Sequence, residues 1–343
     1  MGMKLQLANA PVQPTKETSG QSFGYYSHIT QLKDAMEKLG VEFVDDAETV
    51  LHIAPLTWYE PYSGKKNIVY TMYEFDALPR GWVNKLPDID LLIVPCSHNK
   101  TLFTKYYDVP CEVCLEGVNT DRFPMVNRSF PDGAPFRFYW FGALNLRKGY
   151  AALRILWHEW KELLKARGIK DNTELYIKYN DDKPAQVKRM EEDIIIDNRI
   201  ISNKELQELF AQAHCFIFPT MGEGFGLTLC EAISTGLPAI YTNYTGPADY
   251  MNEEIGYPLP YEMTGVTVVE HSKEYSGEII KSEFRTVGAY IIIQRGLQAM
   301  ANVYCNYDHA LEKGRKAAQM VREKLTWEIS ARRMIDIIWG GSK

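Results

Sequence analysis

The sequence predicts an α/β fold of two doubly wound, Rossmann-like domains with parallel sheets. Three observations carry that reading. Short apolar runs of strand length, such as Leu91-Leu92-Ile93-Val94, lack the alternation of a half-exposed sheet and read as buried parallel strands. A strand, a glycine-bearing loop and a helix follow one another near the N-terminus and again after residue 135. Between those two starts lies Phe123 to Pro135, rich in proline and poor in apolar residues, which reads as a linker. The expected division is therefore 1–125 for a first domain, 126–135 for the linker and 136–325 for a second domain. At 343 residues, 45% hydrophobic and 24% charged, the chain is long enough to bury two cores.

In order, Lys4 to Ala8 is a first strand, Gly20 to Tyr25 a polar loop, and Tyr26 to Leu39 a helix. That helix turns Ile29, Leu32, Ala35, Met36 and Leu39 to one side and stops at Gly40. Strands follow near Val50–Ala54, Asn67–Thr71 and Leu91–Val94, then a helix with Leu102 and Phe103. Past the linker, Phe136 to Phe141 is a strand and Tyr150 to Arg167 a long helix; Leu175 to Tyr179 is a further strand. Ser202, with Glu205 three positions on, caps the helix that runs to Ala213. Gly256 to Glu283 reads as loop-rich, and two amphipathic segments, Gly288–Tyr304 and Asp308–Lys324, approach the C-terminus.

Composition narrows the partners. The net charge is −6, and residues 1–128 hold 12 Lys and Arg against 16 Asp and Glu, which disfavours nonspecific attraction to nucleic acid or anionic lipid. The balance leaves nucleic acid open as a partner, and peripheral membrane contact is not indicated. No apolar run reaches the ~20 residues of a membrane span, so a cytoplasmic location is expected. Six cysteines are too sparse for a disulfide framework; Cys111 and Cys114 read as buried thiols on a strand. Asp88-Ile89-Asp90 reads as a capped loop before a strand, so no metal site is assigned. The oligomeric state is not legible.

The chemistry concentrates in Phe216 to Ile240, F-I-F-P-T-M-G-E-G-F-G-L-T-L-C-E-A-I-S-T-G-L-P-A-I. An apolar strand stops at Pro219, a loop carries Gly222, Gly224 and Gly226, and a helix runs from Leu227 to Ser234. The free N–H groups of the helix's first turn suit an anion or a sugar, and Glu223 and Glu231 can each accept hydroxyl hydrogen bonds. Residue types alone leave equally open a glycine-rich turn with two solvated glutamates. Arg147 and Lys148, in the Gly142–Gly149 loop, offer a forked and a point cation for a diphosphate.

Taken whole, Glu223-Gly224-Phe225-Gly226-Leu227 with Glu231-Ala232 and Gly236-Leu237-Pro238 resembles the E-x7-E signature of the GT-B-fold retaining glycosyltransferases, glycosyltransferase family four. Gly117-Val118-Asn119-Thr120-Asp121-Arg122-Phe123 is similar to the turn that closes the family's first domain, and Trp327–Trp339 to the terminal helix, within 326–343, that crosses back onto it. The resemblance implies transfer of a hexose-type sugar, with retention and without a metal or other cofactor, from a UDP- or GDP-linked donor to a hydroxyl of a glycan, lipid-linked glycan or other acceptor. It implies that Glu231 binds the ribose, Glu223 and the amides of Gly224, Phe225, Gly226 and Leu227 the sugar, Arg147 and Lys148 the diphosphate, and Ile201 the base. Gly24 belongs to the donor side; Ser22, Phe23, Tyr25 and Tyr73 belong to the acceptor side. The chain departs from the family where relatives place a histidine after the strand ending at Thr71; Glu74 or Asp76 stands there, either to bind an acceptor hydroxyl or act as a base, with Glu74 counted beside Glu223, Lys148 and Arg147 as catalytic, or as part of a strand-end turn. Ala143 replaces an arginine. A nucleotide-sugar epimerase and a noncatalytic nucleotide-sugar-binding protein stay open as alternatives.

Overall fold

The computed structural model describes residues 2–8, 22–83, 88–180, 184–273 and 279–340, with backbone alone at 22–24, 269–273 and 279–283. The first domain comprises β1 (Lys4–Ala8), α1 (Ser22–Lys38), β2 (Glu42–Phe43), β3 (Thr49–Ile53), β4 (Lys66–Tyr70), α2 (Arg80–Val83), β5 (Leu91–Val94), α3 (Ser97–Phe103) and β6 (Cys111–Val113). Its sheet is parallel throughout, in the order β2-β1-β3-β4-β5-β6. One face carries a core of Leu5, Ile29, Leu32, Met36, Leu51, Ile68 and Ile93; the other carries Leu56, Val69, Phe75, Leu92, Val94 and Phe103. Neighbouring residues of β4 and β5 thus go to opposite cores, as the pleat requires.

The second domain begins with β7 (Phe136–Phe141), α4 (Tyr150–Ala166), β8 (Thr173–Lys178), β9 (Val187–Arg189), β10 (Ile194–Asp197), α5 (Asn203–Gln212), β11 (Cys215–Phe218), α6 (Leu227–Ser234), β12 (Ala239–Thr242) and β13 (Tyr257–Leu259). Its sheet runs β13-β12-β11-β7-β8-β10-β9, parallel except for the edge strand β9. Phe216 and Phe218 of β11 face one core, Cys215 and Ile217 the other. Ser202 caps α5 in a full capping box with Glu205, as its spacing predicts.

Two expectations fail here. The loop-rich reading of 256–283 is wrong: β13 is followed by a long antiparallel ribbon, β14 (Tyr261–Lys273) and β15 (Ile279–Ile291). Consequently Gly288–Ile291 is strand, and the next helix, α7 (Ile293–Cys305), starts later than expected. The loop proposed at Gly20–Tyr25 is also corrected, because α1 already begins at Ser22.

After α8 (Tyr307–Lys324), α9 (Trp327–Trp339) leaves the second domain and lays Trp327, Ala331, Met334 and Ile338 against the α1 side of the first. Thr326 caps α9, its hydroxyl accepting from Ile329 N–H at 3.3 Å. A β-bridge between Val118 and Thr326 and a hydrogen bond from Val118 N–H to Leu325 O (2.8 Å) fix this crossing beside the linker.

Candidate active site

The site is assembled from strand ends. Arg147 and Lys148 lie in the loop that follows β7, and Glu223 in the loop that follows β11. The two loops are tied by a hydrogen bond from Met221 N–H to the Arg147 carbonyl at 2.7 Å. Gly222 and Gly224 are the points at which the second loop presses on the first domain: a side chain at 222 would collide with the Glu74 carbonyl, and one at 224 would stand 2.6 Å from the Met72 sulfur. Their close approach is therefore to the Met72–Glu74 segment. Gly226 turns the chain into α6 at φ +97°, a conformation that favours glycine.

Four charged side chains meet here. Lys148 Nζ donates to both oxygens of Glu223, at 2.7 and 2.9 Å. Arg147 lies 3.2 Å from Glu223 through one nitrogen and 3.2 Å from Glu74 through another, and it also donates to the Gly222 carbonyl. Thr245, in a strained positive-φ conformation, accepts from Glu223 N–H at 2.8 Å and so orients the residue. Burial pushes the Glu223 carboxyl upward, but Lys148 and Arg147 outweigh it and hold it below the usual carboxylate range. Burial lowers Lys148 in spite of Glu223, whereas for Arg147 the pull of Glu74 and Glu223 overcomes burial and raises it.

Glu231 is different. It occupies the second turn of α6, is only 8% exposed, and among the described residues its carboxylate has no hydrogen-bond partner. Burial raises its pKa from 4.5 to about 7, with Arg122 opposing the rise and Glu116 adding to it. Among the described residues no side chain caps the start of α6, which leaves the N–H groups of Leu227 and Thr228 available. Phe225 is buried against Tyr250, whose hydroxyl donates to the Phe225 carbonyl at 3.0 Å.

The first domain supplies Glu74 and little else of the expected set. Tyr73 is 5% exposed and packs edge-on to Trp82, a core element held through backbone hydrogen bonds to Asn99. Tyr73, expected on the acceptor side, thus lies within the first-domain core. Asp76 accepts from Thr286 Oγ1 (2.6 Å) and Val287 N–H (3.0 Å), anchoring β15. Tyr25 is half-buried against the α1 core, while Ser22, Phe23 and Gly24 open α1 and their side chains lie outside the described residues. Among other aromatic residues of the first domain, Tyr59 and Phe75 are buried, whereas Trp58 and Tyr62 are exposed. Ile201, half-buried, packs on the second-domain core just before α5.

Sequence reasoning missed Arg122 as a neighbour of Glu231, and Asp249, which caps α3 across the domains by accepting from Ser97 N–H and Oγ at 2.6 and 2.9 Å. The only signal for Arg122 is its place in the turn before Phe123. Among the described residues no His, Cys, Asp and Glu cluster has the make-up of a metal site, and no helix is long and apolar enough to cross a membrane.

Residues 135–281 match the family model described as "Glycosyl transferases group 1". Among curated proteins, sucrose synthase 4 of Oryza sativa subsp. japonica is 26% identical over 138 residues, 39% of this chain but only 14% of that protein. Among solved structures, sucrose-phosphate synthase from Thermosynechococcus elongatus superposes with a TM-score of 0.65 at 12% identity, covering 99% of both chains. HepE from Anabaena, solved with UDP and glucose, gives 0.65 at 9% identity over 98% of this chain and all of that one. WaaG, a glycosyltransferase involved in lipopolysaccharide biosynthesis, gives 0.64 at 13% identity over 98% of this chain and all of that one. The chain thus has the two-domain GT-B fold, and its second domain carries the pattern of the group 1 glycosyl transferases.

Proposed function

We propose that the chain is a glycosyltransferase that moves a hexose-type sugar from a nucleoside-diphosphate sugar, UDP- or GDP-linked, to an acceptor hydroxyl, with retention and without a metal ion. The observation that carries this reading is the gathering of Arg147, Lys148 and the uncapped start of α6 around one loop, with an unpartnered, buried Glu231 one turn further in. Cleavage of the sugar–phosphate bond leaves the electron pair on the diphosphate. Two cations and a helix N-terminus stabilise that growing negative charge as fixed, desolvated groups. Glu231, ionised, accepts from the ribose hydroxyls; Glu223 and the loop amides from Gly224 to Leu227 address the sugar. Glu74 reaches the same cluster from the first domain and stands on the acceptor side.

Incubation with UDP- and GDP-sugars in the presence of EDTA and a panel of glycan acceptors tests this. Transfer is expected, with Lys148→Ala lowering turnover by orders of magnitude and Glu231→Ala raising the donor Kd. Donor consumption without an acceptor identifies an epimerase instead, and donor binding without turnover identifies a binding protein.

A further inference from the structure

Arg122 and Glu231 form an unfinished pair. Arg122 has no side-chain hydrogen bond or ion pair among the described residues, and its Nε is buried without a partner. The Glu231 side chain, 8% exposed, likewise has no hydrogen-bond or ion-pair partner among the described residues. Their backbones are nevertheless locked together. Ser234 lies three positions after Glu231, on the same side of α6, and its hydroxyl donates to the Phe123 carbonyl at 2.8 Å. Gln207 of α5 donates to the Arg122 carbonyl at 2.5 Å, and Asn119 Oδ1 accepts from Arg122 N–H at 2.9 Å. The next ring, Phe123, sits edge-on to Phe210 in the second-domain core. A half-buried cation is thereby pinned beside the helix that carries an isolated buried carboxylate, too far away to form a direct ion pair.

We infer that Arg122 is the positioning residue for Glu231, keeping the carboxylate ionised so that it accepts from both hydroxyls of a nucleotide ribose. This rests on the donor-binding reading above. The physical reason is simple: a protonated carboxyl has one donor and reduced acceptor capacity, whereas the ionised form accepts from two hydroxyls at once. Of the charges acting on Glu231, Arg122 favours ionisation and Glu116, whose Oε1 is held by His28 at 3.1 Å, opposes it. Tyr139 of β7 and the adjacent Cys230 also face Glu231; burial pushes both above their ordinary values and keeps them neutral.

The test measures the Kd of UDP and of GDP by calorimetry, for wild type, Arg122→Gln, Arg122→Lys and Glu231→Gln, at about pH 7 and about pH 9. Comparing variant with wild type at each pH cancels ionisation of the nucleotide itself. Arg122→Gln is expected to weaken binding about tenfold near pH 7, the loss shrinking toward unity near pH 9, where Glu231 ionises unaided. Arg122→Lys is expected to retain most of the affinity, and Glu231→Gln to lose it at both pH values. An Arg122→Gln loss that is equal at both pH values, or absent, overturns the inference alone. Failure of wild type to bind either nucleotide overturns the donor-binding reading itself.

Discussion

Glu223 and Glu231 stand eight positions apart on one loop and helix, both nearly sealed from solvent, yet their pKa values move in opposite directions. Burial raises both. Glu223 meets Lys148 and Arg147 at hydrogen-bond distance and is held low, whereas Glu231 has only the more distant Arg122 and rises to about 7. Depth, therefore, does not fix a buried carboxylate's charge; the reach of its counter-ions does. One half of the site is electrically complete and binds loop to loop. The other half is left for the hydroxyls of a ligand to complete.

The largest expected effect breaks the completed half. Glu223→Gln leaves Lys148 without its carboxylate and Arg147 with Glu74 alone, and loss of one member of a buried pair costs about 3–5 kcal/mol. Turnover should fall by about 10²–10³-fold, since Lys148 and Arg147 lose the group that aims them. Thermal unfolding and single-turnover assays check both; an unchanged Tm would show that the cluster does not hold the loops together.

Glu231→Gln should act with the opposite sign on stability. Because folding raises this pKa from 4.5 to about 7, the folded state binds the extra proton between those values, and stability is lost as pH rises through that window. Above about pH 7 the ligand-free Gln variant is expected to exceed wild type by up to about 3 kcal/mol, a gain absent below about pH 4.5. Urea unfolding across pH measures it. A variant no more stable than wild type at pH 8 would mean that water or a counter-ion already satisfies the ionised carboxylate.

Much of this was readable before any coordinates. The run Phe216–Phe218, the stop at Pro219 and the glycine before Leu227 define a strand, turn and helix by local chemistry alone, and the structure places β11 and α6 there. Ser202 and Glu205 likewise announce α5 by themselves. The β14–β15 ribbon was missed because its order depends on distant partners. Asp76 holds Thr286 and Val287, Met221 O accepts from Ala289 N–H at 2.9 Å, and Val266 is buried against the first domain. The three residues of edge strand β9 are all exposed, and the strand is defined by pairing with β10. The meeting of Glu74 with Arg147 was equally illegible, since it requires both domains to be docked, with Gly222 pressed against the Glu74 carbonyl.

That docking gives a smaller, sharper test. Glu74→Gln releases Arg147 from one of its two carboxylates, so the cluster gains net positive charge just where the diphosphate is proposed to sit. Nucleoside diphosphates should bind no worse, and about threefold tighter at low salt, while sugar transfer slows by about tenfold. Tighter binding with full turnover would reduce Glu74 to a counter-ion; weaker binding would mean that Glu74 supports the fold of the site rather than its charge.

The smallest effect is expected at the ribbon. Asp76→Ala removes two hydrogen bonds to β15, one from the Thr286 hydroxyl and one from Val287 N–H, at a cost of about 1–3 kcal/mol confined to that contact. Hydrogen exchange at residues 284–289 should quicken, yet the ion cluster of Lys148 with Glu223 and the pinned Arg122 turn do not depend on Asp76. Nucleotide affinity is therefore expected to hold. If it falls with the loss of ribbon protection, the ribbon's grip on Met221 is transmitted to the adjoining Gly222 and Glu223, and the completed half of the site extends into β15.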